Sequence, residues 1–151
     1  MLSNPKYGWT TVTIENFQTE ASYLVDVPFE WLRACLNAME YNMPICLFAD
    51  EEGSCCYINS YYNNTYIIIE RGETTLHNCR NTDFFDLTYS LIADIKRHFE
   101  DWVKWYPYED SEEDFIRRRK ELKLLIDKTE SSLYTAAKNS RKSFNENTST
   151  E

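Results

Sequence analysis

Residues 45–79 carry short β-forming runs separated by turn residues, and this stretch limits the fold more than any other. Ile45–Ala49 is a compact apolar run that predicts a buried strand. Asp50-Glu51-Glu52-Gly53 reads as a turn. Cys55–Tyr61 and Thr65–Glu70 predict strands joined by a tight turn at Asn63-Asn64, because asparagine accepts the positive φ that short hairpin turns require. Arg71-Gly72 makes another turn, and Thr74–Cys79 predicts a weaker strand. Connections this short join antiparallel neighbours, so the chain contains an antiparallel meander of three or four strands.

Trp9–Glu15 alternates threonine with Trp, Val and Ile and predicts a strand, with a second at Ala21–Val27. Asp26-Val27-Pro28 then opens a helix, since proline is tolerated in a first turn. Phe29, Leu32, Leu36 and Met39 recur at three and four residues and share one face, and Asn42 and Pro44 end the helix. After the meander, Asp83 predicts a helix cap, and Asp86 suits the positive end of the dipole. Phe84, Leu91, Ile95, Phe99, Trp102 and Tyr106 form one stripe of a long helix that Pro107 stops. Ser111-Glu112-Glu113-Asp114 matches a capping box, and Phe115, Leu122, Ile126 and Leu133 line the helix it begins.

These elements predict an α+β domain in the order ββαβββ(β)αα. An antiparallel β-sheet of about five to six strands carries helices packed mainly on one face. The 151 residues suffice for one core, with only three Gly and four Pro. The expected organisation is a single α+β domain over residues 1–138 and a polar C-terminal tail over 139–151.

The net charge of −9 argues against direct contact with DNA or RNA, because phosphate contacts need Lys and Arg. It suits a basic protein partner. No signal-like apolar segment opens the chain, and no apolar run approaches the ~20 residues of a membrane span. Cys35, Cys46, Cys55, Cys56 and Cys79 are odd in number and lack paired spacing, which points to reduced thiols in a cytoplasm.

His77 and Cys79 fall on one face of the weaker strand, a pair able to serve as nucleophile and base or as half of a metal site. No C-x-x-C spacing or second histidine cluster supports a metal, and the alternative is an edge histidine beside a buried thiol. The chain contains no G-x-S-x-G elbow, no G-x-x-x-x-G-K-[ST] and no G-x-G-x-x-G. The acidic turn at 50–52 lacks the alternating ligands of an EF-hand loop. No catalytic residue, metal ligand or cofactor is therefore predicted. Arg117-Arg118-Arg119-Lys120 resembles a nucleic-acid patch. Yet Glu113 precedes Arg117, and Asp114 precedes Arg118, by four residues, which predicts a solvated helix face of paired charges.

Asp101–Asp110 reads Asp-Trp-Val-Lys-Trp-Tyr-Pro-Tyr-Glu-Asp and is richer in aromatic and acidic groups than its surroundings. On a continuous helix Trp102 and Tyr106 join the buried stripe, while Trp105 lies about 60° from Trp102. Trp105, Tyr108, Glu109, Asp110, Glu112 and Glu113 are accordingly predicted to form a partner-binding surface of aromatic anchors ringed by carboxylates.

Several stretches together resemble bacterial immunity-type proteins, which neutralise a toxin made by the same cell. They are Tyr7-Gly8-Trp9 with the following Thr-Thr-Val-Thr-Ile, Ala21–Leu32, Asp50-Glu51-Glu52-Gly53 before the meander, Leu91–Ile95, and the Trp102–Trp105 pair. The resemblance spans Tyr7 to Asp127 and carries no functional residue across. It implies a small, acidic, cytoplasmic, non-catalytic inhibitor that covers the active site of a basic toxin, such as a nuclease. Competing expectations are a phage-type inhibitor imitating nucleic acid, a small enzyme or ligand-binding domain built on His77 and Cys79, and a homodimer paired through Trp105–Tyr108.

Overall fold

A computed structural model describes residues 1–105 and 111–147, with side chains through Ser140. The architecture is α+β, as the sequence predicts. A two-stranded hairpin, β1 (Trp9–Ile14) and β2 (Phe17–Ser22), precedes helix α1 (Val27–Tyr41). A four-stranded antiparallel meander follows: β3 (Ile45–Asp50), β4 (Cys55–Tyr61), β5 (Asn64–Arg71) and β6 (Glu73–Cys79), in spatial order β3-β4-β5-β6. Helices α2 (Phe84–Arg97), α3 (Phe99–Val103) and α4 (Glu112–Asn147) complete the described chain.

One face of the meander builds the core. Ile45, Leu47 and Ala49 of β3, Cys56 and Ile58 of β4, and Ile67 of β5 are buried at alternate positions. Helices α1 and α2 pack on the sheet, and α4 packs on both of them as the layer farthest from it. On α1 the buried set is Val27, Pro28, Phe29, Trp31, Leu32, Cys35 and Ala38. Leu36 and Met39, expected on that face, are only partly buried. The apolar face is wider than one stripe because α1 is held between sheet and helix. Trp31 reaches the sheet with its indole N–H, which donates to the Phe48 carbonyl at 2.8 Å.

Several boundaries differ from expectation. The second strand is Phe17–Ser22, because Glu15 takes a positive φ of 53° and closes a two-residue turn between Ile14 and Phe17. In the β4–β5 hairpin Tyr61 pairs with Asn64, so the turn is Tyr62-Asn63, with Tyr62 at φ 50°. The expected helix through Tyr106 breaks at His98 (φ −118°, ψ 37°). Asp83 caps α2 as predicted, accepting from the Asp86 N–H at 2.8 Å. Ser111 caps α4, accepting from the Asp114 N–H at 3.1 Å. Residues 139–147, expected as tail, continue α4 as helix. Among the described residues no helix is long and apolar enough to cross a membrane.

Candidate functional site

Among the described residues, the second face of the meander carries only exposed or half-buried positions. Its outward positions alternate with the core residues, and the register aligns them into cross-strand rows. One row runs Phe48, Tyr57, Ile68, Leu76, one residue from each strand. The Phe48 and Tyr57 rings lie 5.2 Å apart. Leu76, at the end of the row, is 66% exposed. A solvated sheet face is normally polar at alternate positions, so an aromatic and aliphatic row across all four strands is the anomaly of this fold.

The flanking rows give this face its chemistry. On one side run Cys46, Asn59, Tyr66 and Asn78, which offer amides and a phenol. On the other run Asp50, Cys55, Glu70 and Thr74, which make that margin acidic. The charge of Glu70, with some burial, the neighbouring Cys55 and a hydrogen bond to Glu70, raises the Tyr57 phenol above its ordinary range. Tyr57 therefore stays a neutral donor. None of these outward strand positions is Lys or Arg.

A cation stands on the opposite side of β5, at its last residue. Arg71 forms an ion pair with Glu51 at 2.8 Å. Glu51 also accepts from the hydroxyls of Thr19 and Ser54, tying the first hairpin to the β3–β4 turn. Burial opposes the Glu51 charge, but the bonds from Ser54 and Arg71, the Arg71 charge and a backbone bond at Glu20 outweigh it. The carboxyl is held below the usual glutamate range. This corner borders an open groove of about 730 Å³ lined by Trp9, Gln18, Glu20, Glu52 and Gly53 as well.

Of the predicted partner-binding residues, Trp105, Glu112 and Glu113 fall among the described residues. Trp105 is 4% exposed, and its indole N–H donates to the Val25 carbonyl at 2.9 Å. This corrects its expected role as an exposed anchor. The break at His98 redirects the chain, and Trp105 follows the end of α3 into the loop before α1 instead of sitting on a helix margin. In the homodimer expected to pair through Trp105–Tyr108, Trp105 is for the same reason not an exposed contact. Tyr108, Glu109 and Asp110 lie outside the described residues, as does Tyr106. Glu112 and Glu113 are exposed in the first turn of α4, in the layer farthest from the sheet.

The basic run on α4 is also rearranged. Arg117 pairs with Asp114 at 2.8 Å and Arg119 with Glu100 at 2.7 Å. Arg118 is buried, donates to the Val103 carbonyl at 2.9 Å, and lies 4.6 Å from the centre of the Phe29 ring. Only tertiary structure reveals that the second arginine of three is a core residue.

His77 and Cys79 share a strand face, as expected, but in different surroundings. The His77 ring lies 5.1 Å from that of Phe17 at the exposed edge, whereas Cys79 is buried, and burial raises its thiol. Burial likewise pushes the Cys35 and Cys56 thiols up to about 12. Among the described residues no group of three or more His, Cys, Asp or Glu is placed to hold a metal ion. No family model, curated protein or solved structure matches this chain.

The signal that marks the open face was present in the sequence. In β3, β4 and β5 both alternating sets contain large apolar residues, which a one-sided strand does not need.

Proposed function

We propose that this chain is a non-catalytic binding protein of the immunity type, and that the open face of the meander is its docking surface for a basic toxin. The observation that carries the reading is the row Phe48–Tyr57–Ile68–Leu76, bordered by Asp50 and Glu70 and free of Lys and Arg. Aromatic and aliphatic groups supply contact area, and the acidic margin selects a basic partner and speeds encounter. Nucleic acid also stacks on exposed aromatic rings, but it needs cations for its phosphates, and this face offers none. Cytoplasmic location belongs to the same proposal, supported by five unpaired cysteines.

Imitation of nucleic acid has less support. The exposed helical side interleaves signs through the pairs Lys96–Glu130, Arg97–Asp94 and Arg119–Glu100, where a mimic needs carboxylates spaced over one broad face. An enzyme built on His77 and Cys79 also has less, because the Cys79 thiol is buried and raised.

The test is protection of cells that express the toxin-like product of an adjacent gene. Wild type is expected to protect, and to co-purify with that product at low salt more than at high salt. Ile68→Lys places a cation in the middle of the row and is expected to abolish both. Protection by Ile68→Lys equal to wild type, or no protection by wild type, sinks the proposal.

A further inference from the structure

The meander ends at β6, and this edge is unguarded. Among the described residues strand β6 pairs with β5 alone, and residues 73–78 are exposed, with the Phe17 ring beside His77 on the core side. The β5–β6 register runs without a bulge from Thr65↔Cys79 to Arg71↔Glu73. The strand reads Glu-Thr-Thr-Leu-His-Asn-Cys, with no Lys and no Pro, and its one charge stands at its start. Edge strands are normally blunted by charges, prolines, bulges or a covering element, because their free N–H and C=O groups template another strand. The opposite edge, β3, lies beside β2.

We propose that β6 pairs antiparallel with β6 of a second copy of this chain, about a two-fold axis through Leu76. Each Leu76 then meets its own copy, Thr75 meets His77, Thr74 meets Asn78, and Glu73 meets Cys79 of the other chain. No two like charges stand opposite each other in that register, whereas like pairs across strands are destabilising. The apolar row stops at the exposed Leu76, and its best continuation is the same row reversed. The product is an eight-stranded sheet with both open faces on one side. A strand from a basic partner has less reason to dock here, since β6 contributes a single carboxylate. This pairing stands independently of the toxin-binding reading.

The experiment measures mass by light scattering from low micromolar to several hundred micromolar protein. The expected mass rises with concentration from 18.0 kDa toward twice that value. Leu76→Lys sets two cations on the axis and is expected to stay at 18.0 kDa throughout, with an unchanged circular-dichroism spectrum. In a Cys46→Ser background, Leu76→Cys is expected to oxidise to a covalent dimer, because residues opposed across the axis lie within disulfide reach. Thr74→Cys, equally outward but about 13 Å from its copy in this register, is expected not to. A wild-type mass fixed at 18.0 kDa, a dimer that Leu76→Lys leaves intact, or equal cross-linking at positions 74 and 76 overturns the proposal.

Discussion

Arg118 holds Asp26 with both terminal nitrogens, Nη1 at 2.7 Å from Oδ2 and Nη2 at 2.6 Å from Oδ1. Asp26 immediately precedes α1, yet its carboxylate makes no cap bond to that helix and is given to α4 instead. The same guanidinium donates to the Val103 carbonyl, so one side chain joins the start of α1, the end of α3 and the body of α4. Removing one member of a buried pair strands the other charge. Arg118→Ala is therefore expected to cost about 3–5 kcal/mol in urea unfolding. Arg118→Lys should recover only part of this, because an ammonium cannot reproduce the two-pronged geometry. A loss below that of an ordinary surface substitution would show that the pair is not structural.

The order of elements was legible because strand alternation and helix caps are local signals. Asp83 and Ser111 cap the helices they were expected to cap. What was not legible depended on the chain's neighbours. Arg118 has the same local sequence environment as Arg117 and Arg119, and only the approach of Asp26, from 92 positions away, separates them. The sequence does not place Trp105, because no proline or glycine marks the break at His98. The turns at Glu15 and Tyr62 place non-glycine residues at positive φ, which residue preference does not anticipate.

Glu51 gives a pH signature. Its folded carboxyl lies below the ordinary glutamate range, so its contribution is fully present above the unfolded value of ~4.3. That contribution is lost as pH falls through the lower folded value. Urea midpoints measured across this acid range are expected to fall more steeply for wild type than for Glu51→Gln. Parallel profiles would remove Glu51 as a source of the dependence.

The cysteines should divide by burial. Cys46 is exposed, while Cys35, Cys56 and Cys79 are buried, with thiols raised by that burial. A thiol reagent acts on the thiolate, so native protein should show one fast thiol, a slower Cys55, and three that react only on unfolding. Cys46→Ser should delete the fast phase. Fast reaction of more than two thiols in folded protein would contradict the core described above.

The two faces of β5 should respond unequally to truncation. Ile67 is fully buried on the core side, so Ile67→Ala is expected to cost about 2–5 kcal/mol. Its neighbour Ile68 faces outward between Tyr57 and Leu76. Ile68→Ala loses cross-strand contact only, roughly 0.2–1 kcal/mol. Similar losses at both positions would mean that the outer face is covered, and the docking surface would lose its basis.

Trp102 and Trp105 lie with ring centres 5.1 Å apart and are both buried, but their indole N–H groups differ. That of Trp105 donates to the Val25 carbonyl at 2.9 Å, whereas that of Trp102 has no partner among the described residues. Replacing either with phenylalanine removes similar volume. Trp105→Phe additionally removes one of two bonds to the Val25 carbonyl, which keeps the Val27 N–H at 2.8 Å, a penalty of about 0.5–1.5 kcal/mol for the lost bond. Trp102→Phe discards an N–H already without a bond and avoids that penalty. Trp105→Phe is therefore expected to be the less stable variant by about that margin in matched denaturant titrations. If Trp102→Phe proves equally costly, the Trp105 bond is not what holds α3 to the loop before α1.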